Sequence, residues 1–151
     1  MRKIIVNAGG VSYYLVIVVV FIYGIVIAEY FSDINRRVLE IQAKELTENS
    51  FFNFFMSFSF VMMVLSAFII WLVTSLLFHL MAILFDGKFR FKGFIKYSGL
   101  LYIFPAIGFL VAYLLSSNVQ LPENNIQEFL KTDGTFQTMS WIINVSSLVY
   151  Y

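Results

Sequence analysis

The sequence predicts an all-α fold, a multi-pass transmembrane helical bundle, on three observations. Hydrophobic residues make up 60% of the 151-residue chain and charged residues only 13%. Soluble domains average about 45–50% and about 25%, respectively. The second observation is a set of four uncharged blocks, residues 4–28, 49–85, 97–122 and 135–151. Finally, runs such as 15–22 are apolar without the alternation of a barrel strand, so helices in lipid are expected.

Each uncharged block predicts one membrane span, because about 20 helical residues cross a hydrocarbon core of about 30 Å. We expect three full spans and an incomplete fourth at about 11–28, 58–84, 97–115 and 139–151. The fourth is incomplete because 13 residues are too few to cross, which favours missing sequence. The second block is longer than a span, so its helix tilts or its phenylalanine-rich start lies at the interface. The first span has an alternative interpretation, a cleaved signal peptide preceded by Arg2 and Lys3.

The distribution of Lys and Arg predicts the orientation. One side carries six basic residues and a single acid, whereas the other carries four basic and eight acidic residues. We therefore expect a cell-membrane protein with a cytoplasmic N-terminus, a cytoplasmic loop at 86–96 and outer segments at 29–50 and 116–135. The loop cations are candidate contacts for a cytoplasmic partner or for anionic lipid headgroups, at about 1 kcal/mol each. They are Lys88, Arg90, Lys92 and Lys96.

The outer segments carry helical patterns. Residues 29–50 place apolar side chains at helical spacing, which predicts an amphipathic helix, separate from the first span or continuous with it. This apolar face consists of Phe31, Ile34, Val38 and Ile41. It either lies on lipid or on the protein itself, or forms an outer docking face for a partner. In 116–135, Pro122 suits the first turn of a short helix and Gly134 its stop.

Residues that carry chemistry are scarce. The chain has no Cys and one histidine, His79, near the expected cytoplasmic end of the second span, where a polar interface residue is expected. No acid lies centrally in a span, and no paired-acid, metal-binding or P-loop motif is present in the sequence. We therefore expect no enzyme activity, no catalytic, cofactor or metal site and, with a net charge of +1, no nucleic-acid partner.

Small residues predict close helix packing within the spans. Gly24 and Ala28 are four residues apart, as are Gly108 and Ala112. Pro105 lies in the middle of the third span and removes one backbone hydrogen bond, which favours a kink there. Gly87 follows the second span and suits a helix stop.

The stretch 71–80, which ends in His79-Leu80, and the following Gly87-Lys88 loop resemble the Yip1 domain family. In that family such a loop precedes a helix with a Tyr and a Pro, as Tyr97 and Pro105 stand here. The resemblance covers about 60–115. It implies a non-enzymatic multi-pass membrane protein, since eukaryotic relatives act in vesicle trafficking and bind small GTPases, and some bacterial ones accompany ABC exporters.

These inferences together predict an accessory or scaffold subunit that associates with a membrane complex such as an ABC-type exporter, surrounded by membrane lipids. One alternative is an oligomeric transporter or channel built from several copies. The second span offers polar side chains for it, namely Ser57, Ser59, Ser66, Thr74 and Ser75. The other alternative is a lipid-handling membrane-stress protein.

Overall fold

The computed structural model describes residues 12–42, 50–85, 90–122 and 125–148, and these residues form helices and no strand. The helices are α1 (Tyr13–Gln42), α2 (Ser50–Leu84), α3 (Phe91–Leu101), α4 (Ile103–Ser116), α5 (Ile126–Thr132) and α6 (Gly134–Leu148). The predicted all-α bundle is confirmed. Three helical stretches are long and apolar enough to cross a membrane: α1, α2 and the α3–α4 unit.

The first two helices are longer than a membrane requires. α1 has 30 residues and α2 has 35. At 1.5 Å per residue they measure about 45 and about 52 Å, against a hydrocarbon core of about 30 Å. The amphipathic outer segment is therefore a continuation of the first span as far as Gln42, and residues 43–49 lie outside the described residues. α2 begins at Ser50, well before the expected start of its span at 58.

α3 begins at Phe91, within the loop expected at 86–96. Its first turn has apolar residues to bury. The rings of Phe91 and Phe94 lie 5.2 and 5.6 Å from the ring of His79 on α2. Burial of this face extends the helix towards the loop. Lys92 and Lys96 are thus helical residues, and 86–89 lie outside the described residues.

The third span is interrupted at Tyr102, three residues before Pro105. The Tyr102 N–H bonds to the Gly99 carbonyl three residues back, at 3.3 Å, which is a tightened turn. Pro105 has no N–H to donate to Leu101, so the regular hydrogen bonding stops here. It resumes with Ala106 N–H to the Tyr102 carbonyl at 3.0 Å. The helix is thus divided close to Pro105, where a kink is expected.

The last two helices differ from the sequence prediction in their ends. α5 starts at Ile126 after Asn125, which has a left-handed φ of 57°, and not at Pro122. α5 ends at Thr132, directly before the stop expected at Gly134, and Gly134 itself begins α6. The reason is Asp133, whose Oδ1 accepts hydrogen bonds from the N–H groups of Thr135 and Phe136 at 2.8 and 3.1 Å. This carboxylate caps α6 and starts it five residues before the expected 139.

α1 is the central element of the bundle, because two buried clusters form along it. The loop-side cluster consists of Val16, Val20, Trp71 and Tyr102, and joins α1 to α2 and the α3–α4 break. The far-side cluster consists of Tyr30, Phe109, Ala112, Phe136 and Met139, and joins α1 to α4 and α6. Tyr23 packs against both, with its ring 4.7 Å from Tyr102 and 6.1 Å from Phe109.

Small residues lie at the helix contacts, as expected for Gly24, Ala28, Gly108 and Ala112, all of which are buried. A Cβ at Gly24 would be 3.2 Å from the Val64 carbonyl oxygen, and one at Gly108 would overlap Ser146. Gly99, which the pattern did not indicate, is as tightly packed, because a Cβ there would overlap Val16. These glycines let the helix backbones approach each other closely.

Candidate functional site

The end of the bundle away from the 86–89 loop is where α1 and α2 differ most. Beyond Ala28, α1 becomes charged, whereas α2 remains rich in phenylalanine as far as its start at Ser50. Gly24 packs against Val64 and Ala67, so the two helices run antiparallel and in contact. In this register Glu29 lies level with about residue 60 of α2, and Arg36 with about residue 53. A charged helix thus stands beside an apolar one at the same height.

A groove of about 730 Å³ separates these two helix ends. Polar and charged side chains line it on the α1 side: Glu29, Ser32, Arg36 and Glu40. On the α2 side it is mostly apolar, with Phe52, Met56, Phe60 and Val61 beside Asn53 and Ser57. The groove therefore has a charged wall and an apolar wall, an arrangement suited to an amphipathic ligand.

The outer side of the same α2 segment forms a phenylalanine ridge, defined as Phe54, Phe55 and Phe58. These side chains are 67%, 56% and 54% exposed. Their spacing places them on one side of the helix, away from the groove-lining Phe52 and Met56. In the sequence these phenylalanines belong to an overlong apolar block. Their position beside charged residues of α1 follows only from the pairing of the two helices.

Arg37 fixes the end of α4 to α1. Its guanidinium donates to the Ser116 carbonyl at 2.7 Å and to the Val119 carbonyl, and it lies 3.6 Å from the Asp33 carboxylate. The Ser116 carbonyl ends α4 and the Val119 carbonyl follows three residues later, so the guanidinium lies at the C-terminal end of this helix, where a cation is favourable. Sequence patterns do not indicate this contact beyond an arginine on the amphipathic helix, because its acceptors are about 80 residues away.

The predicted outer docking face is used only in part by the protein itself, since 41% of Phe31 remains exposed. The ring of Phe31 is 6.1 Å from that of Phe109, and Ile34 packs against the far-side cluster. Val38 and Ile41 are half-buried. This packing favours an outer part of α1 that contacts its own bundle at Phe31 and Ile34.

Three of the four candidate loop cations lie within the described residues, and they do not behave alike. Arg90 and Lys92 are exposed. Lys96 is half-buried, with its Nζ 4.5 Å from the centre of the Tyr13 ring. Lys96 thus joins the start of α1 to α3 through a cation–π contact, which leaves Arg90 and Lys92 as the accessible cations. Lys88 lies outside the described residues.

The positions that carry the family resemblance have structural roles. His79 is half-buried between the Phe91 and Phe94 rings, and its Nδ1 has no hydrogen-bond partner among the described residues. Tyr97 is half-buried and Pro105 is buried at the helix break. Gly87 lies outside the described residues. His79 and Pro105 therefore shape helix packing on opposite sides of α3.

The polar residues of the second span are bonded locally. Ser57, Ser66 and Thr74 each donate to a carbonyl of α2 itself. Ser75 is fully buried, donates to the Trp71 carbonyl at 2.7 Å and lies 2.6 Å from Ser98 Oγ of α3. The Trp71 indole N–H donates to the Ile95 carbonyl at 3.1 Å. These bonds satisfy hydroxyls that lipid could not hydrate, so the stripe is explained without a conducting path.

A second cavity, of about 430 Å³, lies beside the helix break. It is lined by Tyr23, Thr74, Tyr102, Pro105 and Ser147 with apolar residues of α2. The Thr74 hydroxyl donates to the Ile70 carbonyl of its own helix.

Within the described ranges, no group of three His, Asp or Glu side chains could hold a metal ion. The main polar features of these ranges are the charged groove, the hydrogen bonds of Arg37 to the Ser116 and Val119 carbonyls, and the Ser75–Ser98 pair.

No protein-family model matches this chain, and neither a curated protein nor a solved structure matches it.

Proposed function

We propose that the chain is a non-enzymatic accessory or scaffold subunit that binds another membrane protein, such as an ABC-type exporter. The observation that carries this proposal is the exposed phenylalanine ridge beside the charged part of α1. Contiguous exposed aromatic surface marks interaction sites when lipid does not cover it. Aromatic residues are also enriched in the energetically dominant parts of protein interfaces.

Lipid covers the ridge only in part. In the antiparallel pairing of α1 and α2, Phe54 lies level with about Asn35, six residues beyond Glu29. Six residues correspond to about 9 Å of helix rise. The polar layer on each side of the hydrocarbon is only about 5–7 Å thick. If Glu29 marks the edge of the hydrocarbon, Phe58 lies in the headgroup layer and Phe54 lies beyond it, where a partner protein is the apolar surface that would cover it.

The resemblance of about residues 60–115 to the Yip1 domain family supports the same proposal, because proteins of that family work by binding other proteins. The proposal places the chain in the cell membrane with the N-terminus and the 86–89 loop in the cytoplasm. The ridge then faces the outside, where a partner with an extracytoplasmic part is required.

The docking proposal is tested by photo-crosslinking in intact cells. A photoreactive amino acid replaces Phe54, and a matched control replaces Ile69, which is 62% exposed in the middle of α2. We expect a discrete protein adduct from position 54 and only lipid adducts from position 69. Mass spectrometry identifies the protein, and Phe54→Ser with Phe55→Ser abolishes its co-purification. An accessory role would be contradicted if neither position gave a protein adduct. It would also be contradicted if the crosslinked protein were a second copy of this chain.

The orientation is tested separately with single cysteines, because the chain has no Cys of its own. We expect an impermeant thiol reagent to label Glu45→Cys and Lys131→Cys in intact cells, and Lys88→Cys only after the membrane is opened. Labelling of Lys88→Cys in intact cells would reverse the proposed topology.

A further inference from the structure

We propose that the groove between α1 and α2 binds an amphipathic helix of the partner protein. The polar side of that helix carries basic, acidic and basic residues that pair with Glu29, Arg36 and Glu40, respectively. This inference rests on the proposed function, because it names the kind of segment by which the partner is recognised. It is carried by the depth of the groove, the order of its charges and the apolar wall opposite them.

Most of the groove lies outside the lipid bilayer. Glu29 is the first charged residue beyond the uncharged part of α1, which ends at Ala28. Arg36 and Glu40 lie about 10 and about 16 Å of helix rise further out. Since the headgroup layer is only about 5–7 Å thick, both residues lie beyond the phospholipid headgroups. A protein segment can fill the length of this groove, whereas a membrane lipid cannot.

The α2 wall of the groove remains apolar over the same distance. Phe60 lies level with about Glu29, and Met56 and Phe52 follow one and two turns further out. Phe52 and Met56 are only half-buried. Because water surrounds the helices at this depth, covering these side chains with another apolar surface is favourable. The occupant therefore has an apolar side that faces α2.

The α1 wall presents charges of both signs in a fixed order. The side chains of Glu29, Arg36 and Glu40 are exposed, and none of them forms an ion pair with another described residue. They are seven and four residues apart, which places them on one side of α1. A helix alongside α1 pairs with all three when its charges have the opposite signs and the same spacing. Such complementarity selects one partner and rejects others.

The two walls suit a helix better than an extended segment. Lining residues recur every three or four positions, at 29, 32, 36 and 40 on α1 and at 52–53, 56–57 and 60–61 on α2. This is the spacing at which helices pack alongside one another. Both walls are α-helices, whose backbone groups bond internally, so an extended segment would find no backbone partners there. A helix satisfies its own backbone groups and needs only side-chain contacts.

A second copy of this chain does not complement the groove. Two copies with the same orientation in one membrane bring equal depths together. If the second copy placed its α1 there, Glu29 and Arg36 would each face a residue of the same charge, which is unfavourable. If it placed the outer part of its α2 there, phenylalanines would lie beside the charged wall. The charges of the groove therefore favour a different protein.

The experiment is photo-crosslinking in intact cells from Ser57, which lines the groove on the α2 side. We expect a protein adduct that mass spectrometry maps to a segment with the basic, acidic and basic residues at spacings of seven and four, in either chain direction. Glu29→Lys with Glu40→Lys should lower the adduct about tenfold, because like charges then face each other. The matched control Glu128→Lys, at an exposed carboxylate on α5, should leave it unchanged.

A second measurement uses the mapped segment as a synthetic peptide, with the purified full chain in detergent. Reversing the three groove charges in the chain, or the three matching charges in the peptide, should weaken binding about tenfold. Reversing both together should restore it. Loss of binding that the double reversal does not restore would overturn the pairing.

The crosslinks separate this proposal from the proposed function. A protein adduct from Phe54 on the ridge without one from Ser57 would refute the groove proposal and leave the accessory role standing. Absence of a protein adduct from either position would refute both. A mapped segment without the charge pattern, a second copy of this chain in the adduct, or an adduct that persists in the Glu29→Lys, Glu40→Lys variant would also overturn the groove proposal.

Discussion

The two buried clusters share α1, but different interactions hold them together. In the loop-side cluster, the Trp71 indole of α2 donates to the α3 backbone, and next to it Ser75 shares a hydrogen bond with the Ser98 hydroxyl of α3. In the far-side cluster, aromatic rings pack on one another, as Tyr30 does on Phe109 at 5.6 Å. Beside that cluster, Arg37 reaches across to the end of α4. Hydrogen bonds between helices thus lie within the span at the loop-side cluster, and at the charged end of α1 beside the far-side cluster.

The difference follows from the solvent around each half. Within hydrocarbon, apolar side chains gain nothing by leaving lipid for a helix contact, so close packing and hydrogen bonds must hold helices together. Gly99 and the Ser75–Ser98 pair supply both for the loop-side cluster. In the charged outer part of α1 a guanidinium remains partly hydrated while it binds carbonyls, since 22% of the Arg37 side chain is exposed. The charged end can therefore use an interaction that the centre of the span cannot.

The largest effect is expected from Arg37→Ala. It removes two hydrogen bonds from a charged donor to the end of α4, which we expect to lower the free energy of unfolding by about 2–3 kcal/mol after allowance for partial exposure. Titration with sodium dodecyl sulfate in mixed micelles, followed by circular dichroism, measures it. Lys131→Ala, which removes an exposed positive charge, is the control and should change little. If both variants lost the same free energy of unfolding, the positive charge and not the Arg37 hydrogen bonds would stabilise the far-side cluster.

A smaller loss, of about 1–2 kcal/mol, is expected for Gly99→Ala, because overpacking exceeds the gain in helix propensity. The added Cβ would overlap Val16 and lie 2.9 Å from Trp71 Nε1, so it would also disturb the indole hydrogen bond. Gly134→Ala is the matched control, since nothing lies within 4 Å of a Cβ there. The same titration compares the two. A neutral Gly99→Ala would show that the loop-side helices tolerate wider spacing.

The smallest effect is expected for Ser75→Ala, at about 0.6 kcal/mol, a typical value for one interhelical hydrogen bond in a membrane protein. Ser98 retains its bond to the Ile95 carbonyl, which limits the loss. Thr74→Val is the comparison, because the Thr74 hydroxyl donates to the Ile70 carbonyl within α2. Should Ser75→Ala prove more damaging than Arg37→Ala, the contrast between the two halves would be reversed.

Several local features could be predicted because their causes are local. The pairs Gly24–Ala28 and Gly108–Ala112 are buried at helix contacts, and the third span is interrupted just before Pro105. The ends of α3 and α6 could not be predicted from their own residues. Packing of Phe91 on His79 lengthens α3, and Asp133 caps α6, which therefore begins at Gly134 and not at the expected 139.

In the candidate site, too, the sequence predicts some features and only the fold decides the others. Glu29, Arg36 and Glu40 fall on one face of a predictable amphipathic helix, since 3.6 residues per turn fixes their alignment. Which residues stand opposite them depends on the register with α2, which no pattern within either segment specifies. Arg37 next to Arg36 shows the consequence, because one points to the end of α4 and the other lines the groove.

By itself, the sequence determined that this chain is helical and apolar enough to lie in a membrane, because backbone hydrogen bonding in lipid permits few structures and apolar length is additive along the chain. Only the tertiary structure decided which helices meet, that α1 carries both clusters, and that a charged groove and a phenylalanine ridge flank the start of α2. These depend on contacts between residues far apart in the chain, whose free energies arise only once helices pack.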